Sequence, residues 1–131
     1  KLSPELKNEA LYYRAKAYKK EKADSKALAD LRELAKDTRT PFGAEAKYLV
    51  AQSLYDAKNY DAAEKELLNY IDQSTPQAYW LARSFILLSD VYVATGKKLD
   101  ARQYLLSLQQ NYNATDDIAG MIESRLQKLN K

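Results

Sequence analysis

"SLYDAKNYDAAEKELL", residues 53–68, reads as the end of one helix and the start of another, joined at a polar turn, Lys58-Asn59. The second helix opens on Ala62 and Ala63, where a core usually takes larger side chains. The stretch is not isolated. Ala63 is followed four residues later by Leu67 and then by Tyr70; Ala27 is followed in the same way by Leu31 and Leu34, and Ala101 by Leu105 and Leu108. Twelve residues before each of these alanines stands another small residue, Ala15, Ala51 or Ser89, and three residues beyond those stand Tyr18, Leu54 and Tyr92. The period is 36 residues between the first two copies and 38 between the next two. A fixed period in this range marks stacked supersecondary units that bury their apolar faces on their neighbours.

The small residues have a physical reading. Where two paired helices cross closely, one residue at the contact must be small. Ala15 is expected to face Ala27, Ala51 to face Ala63, and Ser89 to face Ala101. Each copy is also expected to open alike. Ser3-Pro4, Thr40-Pro41 and Thr75-Pro76 put a capping hydroxyl ahead of a Pro whose missing N–H costs nothing at the first helical position. Seven helices follow, at about 4–21, 24–38, 41–58, 60–74, 76–95, 98–112 and 115–130. The first six form three antiparallel pairs, with repeats at 4–40, 41–75 and 76–113 in one domain spanning 1–131. Gly96 is placed as a left-handed residue ending helix five. The seventh helix, with Asp116 and Asp117 in its first turn, carries an apolar stripe of Ile118, Met121, Ile122, Leu126 and Leu129 opposite a polar face. It is expected to cap the last pair, a truncated fourth repeat being the alternative.

The pattern resembles the tetratricopeptide repeat family. The matching stretches are "LYYRAKAY" with "ALADL", "KYLVAQSL" with "AEKEL", and "FILLSDVY" with "ARQYL", and the resemblance covers residues 4–113. Leu11, Lys47 and Phe85 stand where that family has Trp, Arg14 stands at a usual Leu, and the third copy lacks its closing Pro. The resemblance implies an all-α, right-handed α-solenoid of three helix-turn-helix repeats plus a C-terminal capping helix. Its long repeats are similar to those of bacterial cell-envelope members. That implies a periplasmic or envelope location, with the cytoplasm as the alternative.

In the family, the first helices of successive repeats line a concave groove. Carried over by position, the first repeat offers Glu9, Tyr12, Lys16 and Lys19, and the second offers Glu45, Tyr48, Gln52 and Tyr55. The third offers Arg83, Ile86, Asp90 and Val93, extended by Tyr79, which lies on the same stripe at helical steps. Tyr gives large contact area with a polar tip, which suits an interface. The plainer alternative is that Tyr12, Tyr48 and Tyr55 pack between neighbouring repeats. From Pro41 to Ala51 is 10 residues and from Pro76 to Ser89 is 13, so the third repeat is expected to gain a helical turn at its start, bearing Tyr79 and Trp80. Trp80 is expected to pack on the preceding pair. Some family members hold a C-terminal carboxylate with Lys and Asn; Tyr12 and Lys16 occupy two of those positions, so that clamp is not carried over.

Composition narrows the function. The net charge is +3, with residues 1–40 basic and 41–76 acidic; Lys16, Lys19 and Lys20 are read first as a solvated helix face, the alternative being a basic strip that receives an acidic peptide. No Cys and no His occur, which removes thiolate chemistry, the commonest metal ligand and the commonest general base. There is no Gly-rich phosphate loop and no metal-ligand spacing. No catalytic residue, metal site or cofactor is expected, nor a nucleic-acid or small-molecule partner. No stretch approaches the roughly 18 apolar residues that cross a bilayer. The chain starts at Lys1, as a mature product or a piece of a longer chain would. The three-repeat spacing and the Tyr-bearing stripe, with the groove that the resemblance implies, lead us to expect a non-catalytic protein–protein interaction module or scaffold that presents this groove to a peptide or partner protein. The alternative is a structural spacer or oligomerisation segment within a longer repeat array.

Overall fold

A computed structural model describes residues 3–73 and 75–130 of the chain. Among the described residues there are seven α-helices and no strands: α1 (Pro4–Lys20), α2 (Asp24–Leu34), α3 (Pro41–Asp56), α4 (Tyr60–Asp72), α5 (Ala78–Ala94), α6 (Lys98–Asn111) and α7 (Ile118–Leu129). Consecutive helices pair as α1–α2, α3–α4 and α5–α6. The pairs then stack in order. α3 packs on both α2 and α1, α5 on both α4 and α3, and α7 on both α6 and α5. α7 therefore stands to the third pair as the first helix of each later pair stands to the pair before it.

The six small residues are all buried, from Ala15 and Ala27 to Ser89 and Ala101. Ser89 satisfies its hydroxyl on the Ile86 carbonyl of its own helix at 2.6 Å, so it asks nothing of the crossing beyond its volume. Three residues after each second small residue, the position that faces the partner helix changes chemistry from pair to pair. Asp30 takes a two-point bond from Arg14 at 2.7 and 2.8 Å, Glu66 pairs with Lys47 at 2.5 Å, and Tyr104 lies 5.8 Å from the Phe85 ring. The Arg14 charge, at a position where an apolar residue is usual, is thus held by a nearly buried carboxylate.

All three hairpin turns are built alike. Lys22, Lys58 and Gly96 have φ of 62°, 63° and 82°. The next residue closes a six-residue loop back to the helix: Ala23 donates to the Tyr18 carbonyl, Asn59 to that of Leu54, and Lys97 to that of Tyr92, at 2.7–2.8 Å. This is the Schellman ending, which favours Gly at the left-handed position. Only the third copy uses Gly there.

Two helix starts agree with their Ser/Thr-Pro signal. The Ser3 hydroxyl accepts from the Leu6 N–H and the Thr40 hydroxyl from the Gly43 N–H. The third does not: α5 begins at Ala78 with Gln77 as its cap. The Thr75 hydroxyl instead donates to the Thr38 carbonyl at 2.7 Å and accepts from the Gln77 N–H at 3.2 Å, so it serves a turn. The extra residues of the third repeat therefore lie in the connection and not in an added helical turn. α5 has 17 residues, α1 has 17 and α3 has 16. α2 also stops four residues short of the expected end. Its chain turns so that the Thr38 hydroxyl can donate to Gln73 at 2.6 Å, which ties the α2–α3 connection to the end of α4. α7 begins at Ile118, with the Asp116 carboxylate accepting the Ile118 N–H at 2.9 Å.

Candidate partner-binding face

The first helices carry the predicted face, and the structure uses much of it to join neighbouring helices. The Tyr12 hydroxyl donates to the Glu45 carboxylate at 3.0 Å, and Lys16 Nζ reaches the same carboxylate at 3.0 Å. Burial, and then the bond to Glu45, raises the Tyr12 hydroxyl above its ordinary 10.0. Burial works against the Lys16 charge, but Glu45 and Tyr12 together outweigh it and raise Lys16. The Tyr12 ring also leans on Phe42, with centroids 4.6 Å apart.

The same joint recurs one helix further on. Arg83 donates to the Tyr48 hydroxyl at 3.1 Å and to the Tyr79 hydroxyl at 2.9 Å. Its guanidinium lies 4.9 Å from the centre of the Tyr48 ring and 5.7 Å from that of Trp80, a geometry in which ring quadrupoles stabilise a cation. The Tyr48 hydroxyl then donates to Gln52, and Gln52 to Asp56. At the other end the Tyr79 hydroxyl donates at 2.9 Å to Asp117, which with Asp116 stands just before α7 and not in its first turn as expected. Burial is the first cause raising the Tyr79 hydroxyl. A chain of polar groups thus runs from just before α7 through α5 to α3.

The third stripe is the most altered. Ile86 is 1 % exposed, in a cluster with Ile118 and Ile122 of α7, and offers no surface to a partner. Tyr48, at 6 % exposure, offers almost none. The reason is the same in both cases: a later first helix lies across the residue. Trp80 packs into the cluster of Tyr48 and Leu67, on the preceding pair.

Part of what remains open gathers at one place, while Glu9, Lys16 and Lys19 stay exposed on α1. A cleft of about 430 Å³ lies between α3, α5, α6 and α7, lined by Tyr55, Asp90, Val93, Lys98, Lys128 and Leu129. Its wall is fixed by Arg125, which donates to Asp90 through Nε at 2.8 Å and Nη2 at 3.0 Å, a fork-to-carboxylate pair that sets orientation as well as energy. Val93 is 41 % exposed. Tyr55, Asp90 and Val93 come together here as expected. Lys19 does not join them; it lines a separate hollow with Asp24, Leu28, Ser53 and Asp56. Lys98, Arg125 and Lys128 were not singled out in the sequence, and Leu129 was read only as part of the apolar stripe of the last helix. One signal pointed to Arg125: it follows Asp90 by 35 residues, the separation at which Arg83 meets Tyr48.

Among the described residues no group of three or more carboxylates suits a metal ion, and no helix is long and apolar enough to cross a membrane. No family model, curated protein or solved structure matches the chain.

Proposed function

We propose that the chain is a non-catalytic protein-interaction module, a right-handed solenoid of three tetratricopeptide-like helix pairs that holds a peptide segment of a partner. The pair-on-pair order of packing and the three identical turns support the repeat reading. The observation that carries the binding reading is the cleft at Tyr55, Val93 and Leu129. It offers an aromatic and aliphatic wall beside three cations and one anion, Lys98, Arg125, Lys128 and Asp90. Such a site takes a segment that presents an apolar side chain next to an acidic group.

A photo-crosslinking residue at position 93 tests this. The expected outcome is a crosslinked partner that binds again when purified and whose affinity falls at least about tenfold in Tyr55→Ala/Val93→Glu. A partner that binds this double variant as well as the native chain would sink the cleft reading, provided circular dichroism shows the variant folded.

The alternative is a structural spacer within a longer array. It is favoured by one observation: α7 occupies the place of a next first helix. In that reading no partner is crosslinked at position 93, and the ends of the stack carry the function.

A further inference from the structure

The outer face of α1 repeats a pattern that is buried or half-buried in the other two first helices. Counted from the small residue of each first helix, the positions nine, five and two before it and two after it form one stripe. In α3 these are Phe42, Ala46, Leu49 and Ser53; in α5 they are Trp80, Ser84, Leu87 and Val91. Ala46 is fully buried, and Phe42 and Leu49 pack with it on Leu31 and Leu34 of α2. Leu87 and Val91 are buried with Leu67 of α4, and Trp80 packs against them. In each case the stripe is covered by the second helix of the preceding pair. α1 carries the same order of large and small residues: Leu6, Ala10, Tyr13 and Ala17. Here it is open, with Leu6 53 % and Tyr13 60 % exposed.

The opposite end differs. The stripe of α7 that would meet a further helix is polar, with Glu123, Ser124 and Gln127 exposed. One end of the described stack presents a polar stripe and the other an apolar one.

Charge narrows the occupant. α1 holds five basic residues against Glu5 and Glu9; Arg14 and Lys16 are already paired with Asp30 and Glu45, which leaves Lys7, Lys19 and Lys20 for a partner. A second copy would set this basic helix against itself. The helix that covers α5 has the opposite sign: α4 holds Asp61, Glu64, Glu66 and Asp72 against Lys65.

We propose that the exposed stripe Leu6–Ala10–Tyr13–Ala17 is a docking face for an acidic amphipathic helix of a partner protein, seated as α4 is seated on α5. The face is separate from the cleft, so either can fail alone.

The test uses a hydrocarbon-stapled peptide of residues 59–73 as the helix, with a second peptide in which its four acidic residues are changed to Lys. Binding to the native chain and to Leu6→Glu/Tyr13→Glu is followed by fluorescence anisotropy. Both substitutions are on exposed side chains, and circular dichroism checks that the fold is kept. Saturable binding is expected for the acidic peptide, weakened at least about tenfold in the double variant and in the Lys peptide. No binding to the native chain, or equal binding to the variant, overturns the face. Equal binding of the Lys peptide overturns the acidic partner. Sedimentation equilibrium adds one more outcome: self-association of the native chain that the double variant abolishes would assign the face to a second copy instead.

Discussion

Gly43 shows how much one hydrogen atom can decide. A Cβ built on it would lie 1.7 Å from the Asp37 carbonyl oxygen and 2.9 Å from that of Leu34. Both contacts are backbone, which has little room to move because the Thr38–Gln73 and Thr75–Thr38 bonds pin that connection from the other side. Gly43→Ala is expected to destabilise the fold by about 3 kcal/mol or more, at the upper end of overpacking costs, and urea unfolding measures it. Lys58 is the converse case. Its φ of 63° costs an L side chain roughly 1–2 kcal/mol, while Gly gives back part of this in unfolded-chain entropy. Lys58→Gly is therefore expected to stabilise by about 0.5–1 kcal/mol. A fall in the urea midpoint would show that the Lys58 side chain contributes more than its backbone strain costs. Gly43 was not legible in the sequence, since its need arises from a connection six residues earlier. Gly96 was legible, because the turn is local.

At the scale of the helix, the crossings of paired helices set the tolerances. Ala51 and Ala63 are both without exposed surface, in one cluster with Leu67 and Leu88. Ala63→Phe adds a ring where no space exists and is expected to cost about 1–3 kcal/mol. Lys65 lies on the exposed side of the same helix, so Lys65→Ala is expected to stay within about 0.5 kcal/mol. Thermal melts of the two variants side by side make the comparison; two equal shifts would defeat the close-crossing argument. The helix starts teach a related point. Thr40 and Thr75 both precede Pro, yet only Thr40 caps a helix; the Thr75 hydroxyl accepts the Gln77 N–H in a turn that ends before α5 begins.

For the whole molecule, tyrosines knit successive pairs, and this predicts an alkaline limit. Tyr12, Tyr55, Tyr70 and Tyr79 are raised above their ordinary 10.0, with burial the first cause in each. Burial also raises Tyr92, and raises Tyr112 to about 12. A raised folded value means that the unfolded chain releases these protons first. The stability they contribute is complete below pH 10 and is lost as pH rises through the folded values. Stability is thus expected to fall steadily above pH 10, with tyrosinate absorbance and loss of helical dichroism rising together. Tyrosinate that formed fully while the helices persisted would contradict the inter-helix role of these side chains. α7 completes the same scheme. Ile122 is 2 % exposed beside Ile86, so Ile122→Ala is expected to cost about 2–5 kcal/mol in a urea titration.

The sequence by itself determined the helices, their pairing, the small residues and the left-handed turn at Gly96. Each of these depends on residues within one pair, where spacing along the chain fixes spacing in space. It also brought Tyr55, Asp90 and Val93 onto one face. Only the tertiary structure decided which of that face stays open. Ile86 and Tyr48 have the right phase on their helices, but phase says nothing of the helix that arrives from another pair. Once α5 lies over Tyr48 and α7 over Ile86, their surface belongs to the core, and the cleft moves to where Arg125 holds α7 against Asp90.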